Sequence, residues 1–312
     1  MSAEAQLLNL KDTIPLYTRS SDAGWAVLGN NCEMQYLLTF LIPEKDYPEP
    51  LWFIAGTAFH QVVEDVINDD LDLDQALMAG EFELMRGLDQ VRKRGVIESK
   101  TRTLETYQDD MNEWLTNWFD DVHPHSATRM PEYEDYDWPP KTEHIIDLKN
   151  TPLGTVGMKT TVDAIFEGGP KGRQIAIVDW KTGVLGKAHD WQIQCYAYGL
   201  KCEGLMSMTQ NRSLGWFHHV YKQKIQKVSS YWGEAIPSII RRIERRKREL
   251  MALGDATPNP DWWCDSCAVK PFCPTKGAKD TRLTHKQISQ LLTAAQGVWR
   301  SDTPDDTVPE PL

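Results

Sequence analysis

The sequence predicts an α/β fold in which a central mixed sheet is flanked by helices. Three observations carry that reading. Thr160–Phe166 and Ile175–Lys181 are runs of apolar and β-branched residues with strand character, separated by a turn-forming segment. Helical patterns bracket them, at Ile54–Ile67 upstream and from about Ala188 to Lys201 downstream. The chain has 312 residues, of which 41% are hydrophobic and 25% charged, so it can bury a full core as one large or two small domains.

Residues 1–30 read as an irregular entry, with a helix from Trp25 to Phe40 carrying Cys32. Pro43–Pro50 is a Pro-rich connection, and Ile54–Ile67 is a helix carrying His60. The acidic stretch from Asp72 to about Val122 is strongly helical, broken near Gly95, and reads as an inserted helical subdomain. Its Trp114, Trp118 and Phe119 are assigned to the core, with stacking on nucleic-acid bases as the alternative. Strands span Glu143–Phe166 and Gln174–Lys181, joined through the turn Glu167–Gly172. Further strand follows over Ser213–Val228, then a long helix over Ser230–Leu253. A cysteine loop, a helix over Lys286–Ala295 and a Pro- and Asp-rich tail, Ser301–Leu312, read as disordered, complete the chain. The expected division is 1–71, with Cys32 and the His60 helix; 72–135, the helical insertion; 136–228, the sheet core; 229–283, the helix and cysteine region; and 284–312, the last helix and tail.

The chemistry concentrates at Asp179-Trp180-Lys181. Alternate residues of a strand share a face, so Asp179 and Lys181 point the same way at the end of an apolar run. A carboxylate can hold a divalent cation there, and a lysine can orient water or steady negative charge. Asp163 sits on the preceding strand, and an antiparallel turn brings it close to Asp179. A cation between the two carboxylates removes their repulsion. A lone Asp-x-Lys is a weak signal, and a solvated hairpin with incidental charges would carry the same residues. On the following helix Gln192 and Tyr196 are four apart and share a face. Gln194 and Tyr198 have the same spacing, so spacing does not choose between the pairs.

Asp163, Asp179-Trp180-Lys181-Thr182-Gly183 and Gln192-x-x-x-Tyr196 together resemble the PD-(D/E)xK nuclease superfamily, specifically its RecB-like branch. The upstream Gly-x-x-x-His pattern of that branch matches Gly56 to His60, followed by Glu64. The family often has Gly three residues before its first Asp, where this chain has Thr160. The resemblance implies a restriction-endonuclease-like fold. It implies that His60, Asp163, Asp179 and the Trp180 carbonyl ligate Mg²⁺ or Mn²⁺. Lys181 would be catalytic, and Gln192 and Tyr196 would contact DNA or brace the site. The activity implied is phosphodiester hydrolysis by a DNA exonuclease in recombination, repair or processing, acting on single-stranded ends, 5′ to 3′.

Six cysteines are present, and Cys264-x2-Cys267-x5-Cys273-Pro274 groups three of them. Thiols so closely spaced, in a chain showing no secretion signal, suggest a metal site in place of disulfides. No second pair stands at zinc-ribbon spacing, which leaves distant Cys32 as the candidate fourth ligand. That framework resembles the iron–sulfur staple of AddB-type and CRISPR-associated RecB-like exonucleases. The resemblance implies a [4Fe–4S] cluster on Cys32, Cys264, Cys267 and Cys273; tetrahedral sulfur also suits zinc. Cys195 and Cys202 read as small buried apolar residues.

The formal net charge of −11 argues against a generally basic DNA coat protein, while local basic segments remain, the clearest being Arg241–Arg248. A solvated charged face is the competing reading of that segment. No apolar run approaches the ~20 residues of a membrane span, and Met1–Ala5 lacks a signal-peptide pattern, so a cytoplasmic location with no membrane partner is expected. There is no P-loop pattern, so no ATP engine is expected. Two other classes stay open: a non-catalytic DNA-binding module of the same fold, and a zinc-stapled scaffold.

Overall fold

Five consecutive strands form one sheet, neighbouring one another in chain order. The computed structural model describes residues 48–98, 102–148, 158–169, 174–183, 189–206 and 212–231, with Cys32, Gln35, Leu38, Arg245, Cys264, 267–270 and Cys273. In chain order the elements are β1 (Glu49–Pro50), α1 (Leu51–Asp69), α2 (Leu73–Val91), β2 (Val96–Ile97), α3 (Leu104–Val122), α4 (Pro131–Glu134), β3 (Lys141–Leu148), β4 (Met158–Gly168), β5 (Gln174–Lys181), α5 (His189–Cys202), β6 (Arg212–His219) and β7 (Lys224–Tyr231). The helices expected at Trp25–Phe40, Ser230–Leu253 and Lys286–Ala295, and the C-terminal tail, lie outside the described residues save for single positions.

The sheet is mixed, as expected. β3, β4 and β5 run antiparallel, β5 and β6 parallel, and β6 and β7 antiparallel. A parallel neighbour needs a crossover, and α5 supplies it. The turn after β4 uses Gly168 and Gly169 at φ 111° and 73°, values open to glycine and strained for other residues. The 213–228 stretch is two strands, β6 and β7, joined by a short turn over Val220–Lys222.

Strand alternation builds two cores. Ala176, Val178 and Trp180 of β5 join the cluster of α1, α2 and α3, while Ile177 joins the cluster of α5. Asp179 and Lys181 share the parity of Ile177 and so belong to the α5 face. Trp114 and Trp118 are buried, the first against Phe59 at 6.2 Å and the second edge-on to Trp180 at 5.7 Å between ring centroids. They are core residues, not a stacking surface. The helices expected as an insertion pack with α1 and the sheet in one cluster.

Local signals explain the helix ends. Asp72 and Gln75 form a capping box at α2, each bond 2.9 Å long, and Thr103 caps α3. Gly95, at φ 87°, ends the α2 segment where the sequence placed a break. Gly80 lets α2 approach α3, because a Cβ there would stand 2.7 Å from Leu115.

Candidate active site

β4, β5, α1 and α5 converge on one constellation. Trp180 N–H donates to Asp163 Oδ2 at 2.9 Å, fixing that carboxylate against the end of β5. The same oxygen lies 3.5 Å from His60 Nδ1 on α1. Asp179 is fully buried, and its Oδ2 faces Lys181 Nζ at 2.5 Å. Tyr196 OH donates to Asp179 Oδ1 at 3.2 Å, and Gln192 Nε2 donates to Tyr196 OH. The structure therefore chooses Gln192 and Tyr196 over the equally spaced Gln194 and Tyr198; Tyr198 turns to Cys202. The structure brings His60, Asp163, Asp179, Trp180, Lys181, Gln192 and Tyr196 together.

Glu143 joins them, and sequence reasoning missed it. The β3–β4 register runs through Thr142↔Ala164 and His144↔Val162 but skips the position between, where Glu143 stands opposite Asp163. Glu143 has φ 44°, a left-handed conformation rare for a side chain of its size. The strand also changes face here: Ala164 packs with α1–α3, whereas Val162 packs with α5. His60, Glu143 and Asp163 offer three ligand atoms within 4.8 Å of one another. The only sequence signal was an acidic residue at the start of a strand, which becomes meaningful once its partner across the ladder is known.

Burial makes the carboxylates of the site hold their protons more tightly than exposed ones do. Asp163 is pushed up to about 6 by burial, against the pull of Lys181 and the Trp180 N–H. Glu143 is pushed up to about 8 by burial and by Asp163, Glu64 and Asp179. Burial and the Asp163 charge raise Asp179 as well. Lys181 feels burial pulling it down, but Asp179 and Asp163 together hold it above the ordinary lysine value. His60 falls to about 4 through burial and the Lys181 charge, partly offset by Asp179 and a backbone hydrogen bond to Trp180. Since that bond favours the charged ring, its acceptor is the Trp180 carbonyl. His60 is thus neutral at pH 7, with a nitrogen lone pair to offer a cation.

The donor set fits a divalent metal. A neutral imidazole, several carboxylates and a backbone carbonyl suit Mg²⁺ or Mn²⁺. Asp179 Oδ2 is buried against the Lys181 ammonium, and a carboxylate oxygen with one such donor keeps a lone pair for a cation.

Four of the cysteines form a second group. Cys32, Cys264, Cys267 and Cys273 are in no disulfide among the described residues. Burial first, and then the neighbouring thiols of Cys32, Cys264 and Cys273, push Cys267 up to about 11. Cys32 therefore lies in the electrostatic neighbourhood of the C-terminal three. Hydrogen bonds Cys267 N to Cys264 O (3.4 Å), Lys270 N to Cys267 O (3.1 Å) and Cys273 N to Lys270 O (3.2 Å) fold that loop tightly. Cys195 is buried and Cys202 half-buried, both on α5 and neither in a disulfide. Of the basic segment 241–248, only Arg245, which is exposed, lies within the described residues. No helix among the described residues is long and apolar enough to cross a membrane.

A protein-family model described as the PD-(D/E)XK nuclease superfamily matches residues 28–274. The fold is also similar to one titled "Crystal structure of SSO0001", at 12% sequence identity and a TM-score of 0.34, covering 88% of this chain and 95% of that one. No curated protein matches the chain.

Proposed function

The chain belongs to the PD-(D/E)XK nuclease superfamily, and from that premise we propose that it is a metal-dependent DNA exonuclease. It would act on single-stranded ends, 5′ to 3′, in recombination, repair or end processing. The observation that carries the reading is the trio of His60, Glu143 and Asp163, with ligand atoms within 4.8 Å, beside the Asp179–Lys181 pair. When bound, Mg²⁺ or Mn²⁺ supplies Lewis acidity toward the phosphodiester and lowers the pKa of water.

The protein's residues do the rest. His60, Asp163, Glu143, Asp179 and the Trp180 carbonyl would hold the ion. Lys181 is cationic, fixed by Asp179, and placed to donate to a phosphoryl oxygen or to orient the attacking water. Tyr196, held by Gln192, sets the rotamer of Asp179 so that Oδ2 turns to Lys181.

The four gathered thiols would hold a [4Fe–4S] cluster on Cys32, Cys264, Cys267 and Cys273. What supports this is the electrostatic influence of Cys32, Cys264 and Cys273 on Cys267, a repulsion between thiolates that a cationic centre removes. Its role would be structural, pinning the N-terminal region to the C-terminal loop. Purified protein, incubated with end-labelled single- and double-stranded DNA and Mg²⁺, Mn²⁺ or EDTA, tests the proposal. Metal-dependent shortening of the single strand from one end is expected, and no cleavage with either metal overturns it.

A further inference from the structure

α1 and α2 present large apolar side chains to solvent: Trp52, Phe53, Met78, Phe82 and Met85. Among the described residues, only Ile145 and Leu205 are large, apolar and similarly exposed elsewhere. Trp52, Phe53 and Phe82 are 55%, 51% and 64% exposed, so they contribute little to the folded core. Trp52 and Phe53 pack edge to face, with ring centroids 5.9 Å apart. A groove of about 210 Å³ opens beside Phe53. Thr57 and Gln61 line it from α1, and Arg86, Gln90 and Arg94 line it from α2 and the turn that follows. Phe82 shares a helix face with Arg86, one turn away.

The charges of the groove are balanced. Arg86 pairs with Glu83, and Arg94 pairs with Glu49 at 3.3 Å; both glutamates also line the groove. A phosphate track would be net positive. Phe53 on the groove, with exposed Phe82 one turn from Arg86, over a neutral floor of amides and paired charges instead suits the flat face and polar edge of a nucleic-acid base.

The groove and the metal site adjoin along α1. Phe53, Thr57 and Gln61 are spaced four apart along α1, and His60 and Glu64 form the adjoining stripe. Phe53 and His60 are two turns apart, about 10 Å along the axis. Gln61 Nε2 donates to Glu64 Oε2 at 3.4 Å and to Asp65 Oδ1 at 3.0 Å, and the Glu64 charge acts on Glu143.

We propose that this groove is a base-binding subsite for single-stranded nucleic acid. Phe53 and Phe82 stack on unpaired bases, and Arg86 and Gln90 meet their edges. A duplex keeps its bases stacked and paired, so it cannot use the subsite. The inference rests on the nuclease reading of the metal site and names how that site receives its substrate.

The test uses the full chain in EDTA, where no turnover occurs, and a fluorescein-labelled oligothymidylate read by anisotropy. Phe53→Ala combined with Phe82→Ala should weaken binding roughly ten-fold or more. The slope of affinity against salt should stay the same, because no phosphate contact is lost. Phe53→Trp should keep the affinity. Unchanged oligothymidylate affinity in the double variant overturns the proposal, as does an equal loss for a duplex of the same length. Altered self-association by gel filtration with oligothymidylate affinity intact also overturns it, and assigns the face to a second copy of the chain. Hydrolysis of bis(4-nitrophenyl) phosphate by wild-type protein with Mn²⁺ tests the metal site alone, since that ester has no base. Its failure counts against the nuclease reading and leaves the oligothymidylate result to decide the subsite.

Discussion

Glu143 stands opposite Asp163 across the β3–β4 ladder, where the pairing lapses and the Glu143 backbone turns left-handed at φ 44°. A non-glycine residue in that region carries strain of order 1–3 kcal/mol, which persists only where the surroundings enforce it. Here the flanking pairs Thr142↔Ala164 and His144↔Val162 enforce it. The result is a second carboxylate beside the one that touches His60.

Glu143→Gln keeps the shape and removes the charge. Calorimetric titration with Mn²⁺ should show affinity at least roughly ten-fold weaker, as losing even a supporting group at a metal site has that effect. Without metal the same variant should melt at a higher temperature than wild type, because burial and the neighbouring carboxylates disfavour the Glu143 charge and an amide carries none. Wild-type affinity for Mn²⁺ in the variant would remove Glu143 from the ligand set.

The raised carboxylates set a pH dependence in the metal-free protein. Asp163 near 6 and Glu143 near 8 bind protons more tightly folded than unfolded, where such groups titrate near 4. Their contribution is therefore complete below about pH 4 and is lost as pH rises through 6 and then 8. His60 opposes this between about 4 and its usual 6.5, because its proton is bound less tightly when folded. The window free of that opposition runs from about pH 6.5 to 8. Tm of the EDTA-treated protein should fall across it, and Mn²⁺ should restore stability most at the upper end. A metal-free Tm that rises across this window would contradict the crowded-carboxylate account.

Trp118 is fully buried and edge-on to Trp180, the residue between Asp179 and Lys181. Trp118→Ala should destabilise the protein by ~3–5 kcal/mol in denaturant unfolding. A stable variant with only a nucleic-acid-binding defect would return this tryptophan to the stacking reading.

The proposed cluster joins Cys32 to Cys264, Cys267 and Cys273 across most of the chain. Closing so long a loop restricts the unfolded state strongly, so loss of the centre should destabilise the whole protein. Anaerobically purified protein should be brown, with about four irons per chain. Cys267→Ser should lose the colour and aggregate, while Cys195→Ser and Cys202→Ser should keep it. Colourless protein with one stoichiometric zinc would replace the iron–sulfur assignment and leave the nuclease assignment intact.

Much of the site was legible in the sequence because strand and helix periods are local rules. Two-residue spacing put Asp179 and Lys181 on one face, and four-residue spacing paired Gln192 with Tyr196. The choice against Gln194 and Tyr198 was not local: it depends on which face of α5 meets Asp179. Glu143 was invisible for the same reason, since only the register of β3 on β4 places it opposite Asp163. The expected insertion over 72–135 illustrates a different limit. Amphipathic helices announce an apolar stripe but not what covers it, and here α2 and α3 share one cluster with α1 and the sheet.

The central claim is that the Asp163, Asp179 and Lys181 constellation hydrolyses DNA with a divalent metal. The most direct measurement follows end-labelled DNA, with Mn²⁺ or EDTA, for wild type, Asp179→Ala and Lys181→Ala, alongside Mn²⁺ titration of each protein. Wild type should cleave only with metal. Asp179→Ala should lose both cleavage and tight Mn²⁺ binding, while Lys181→Ala should lose turnover and still bind Mn²⁺. Cleavage by Lys181→Ala at the wild-type rate would contradict the account.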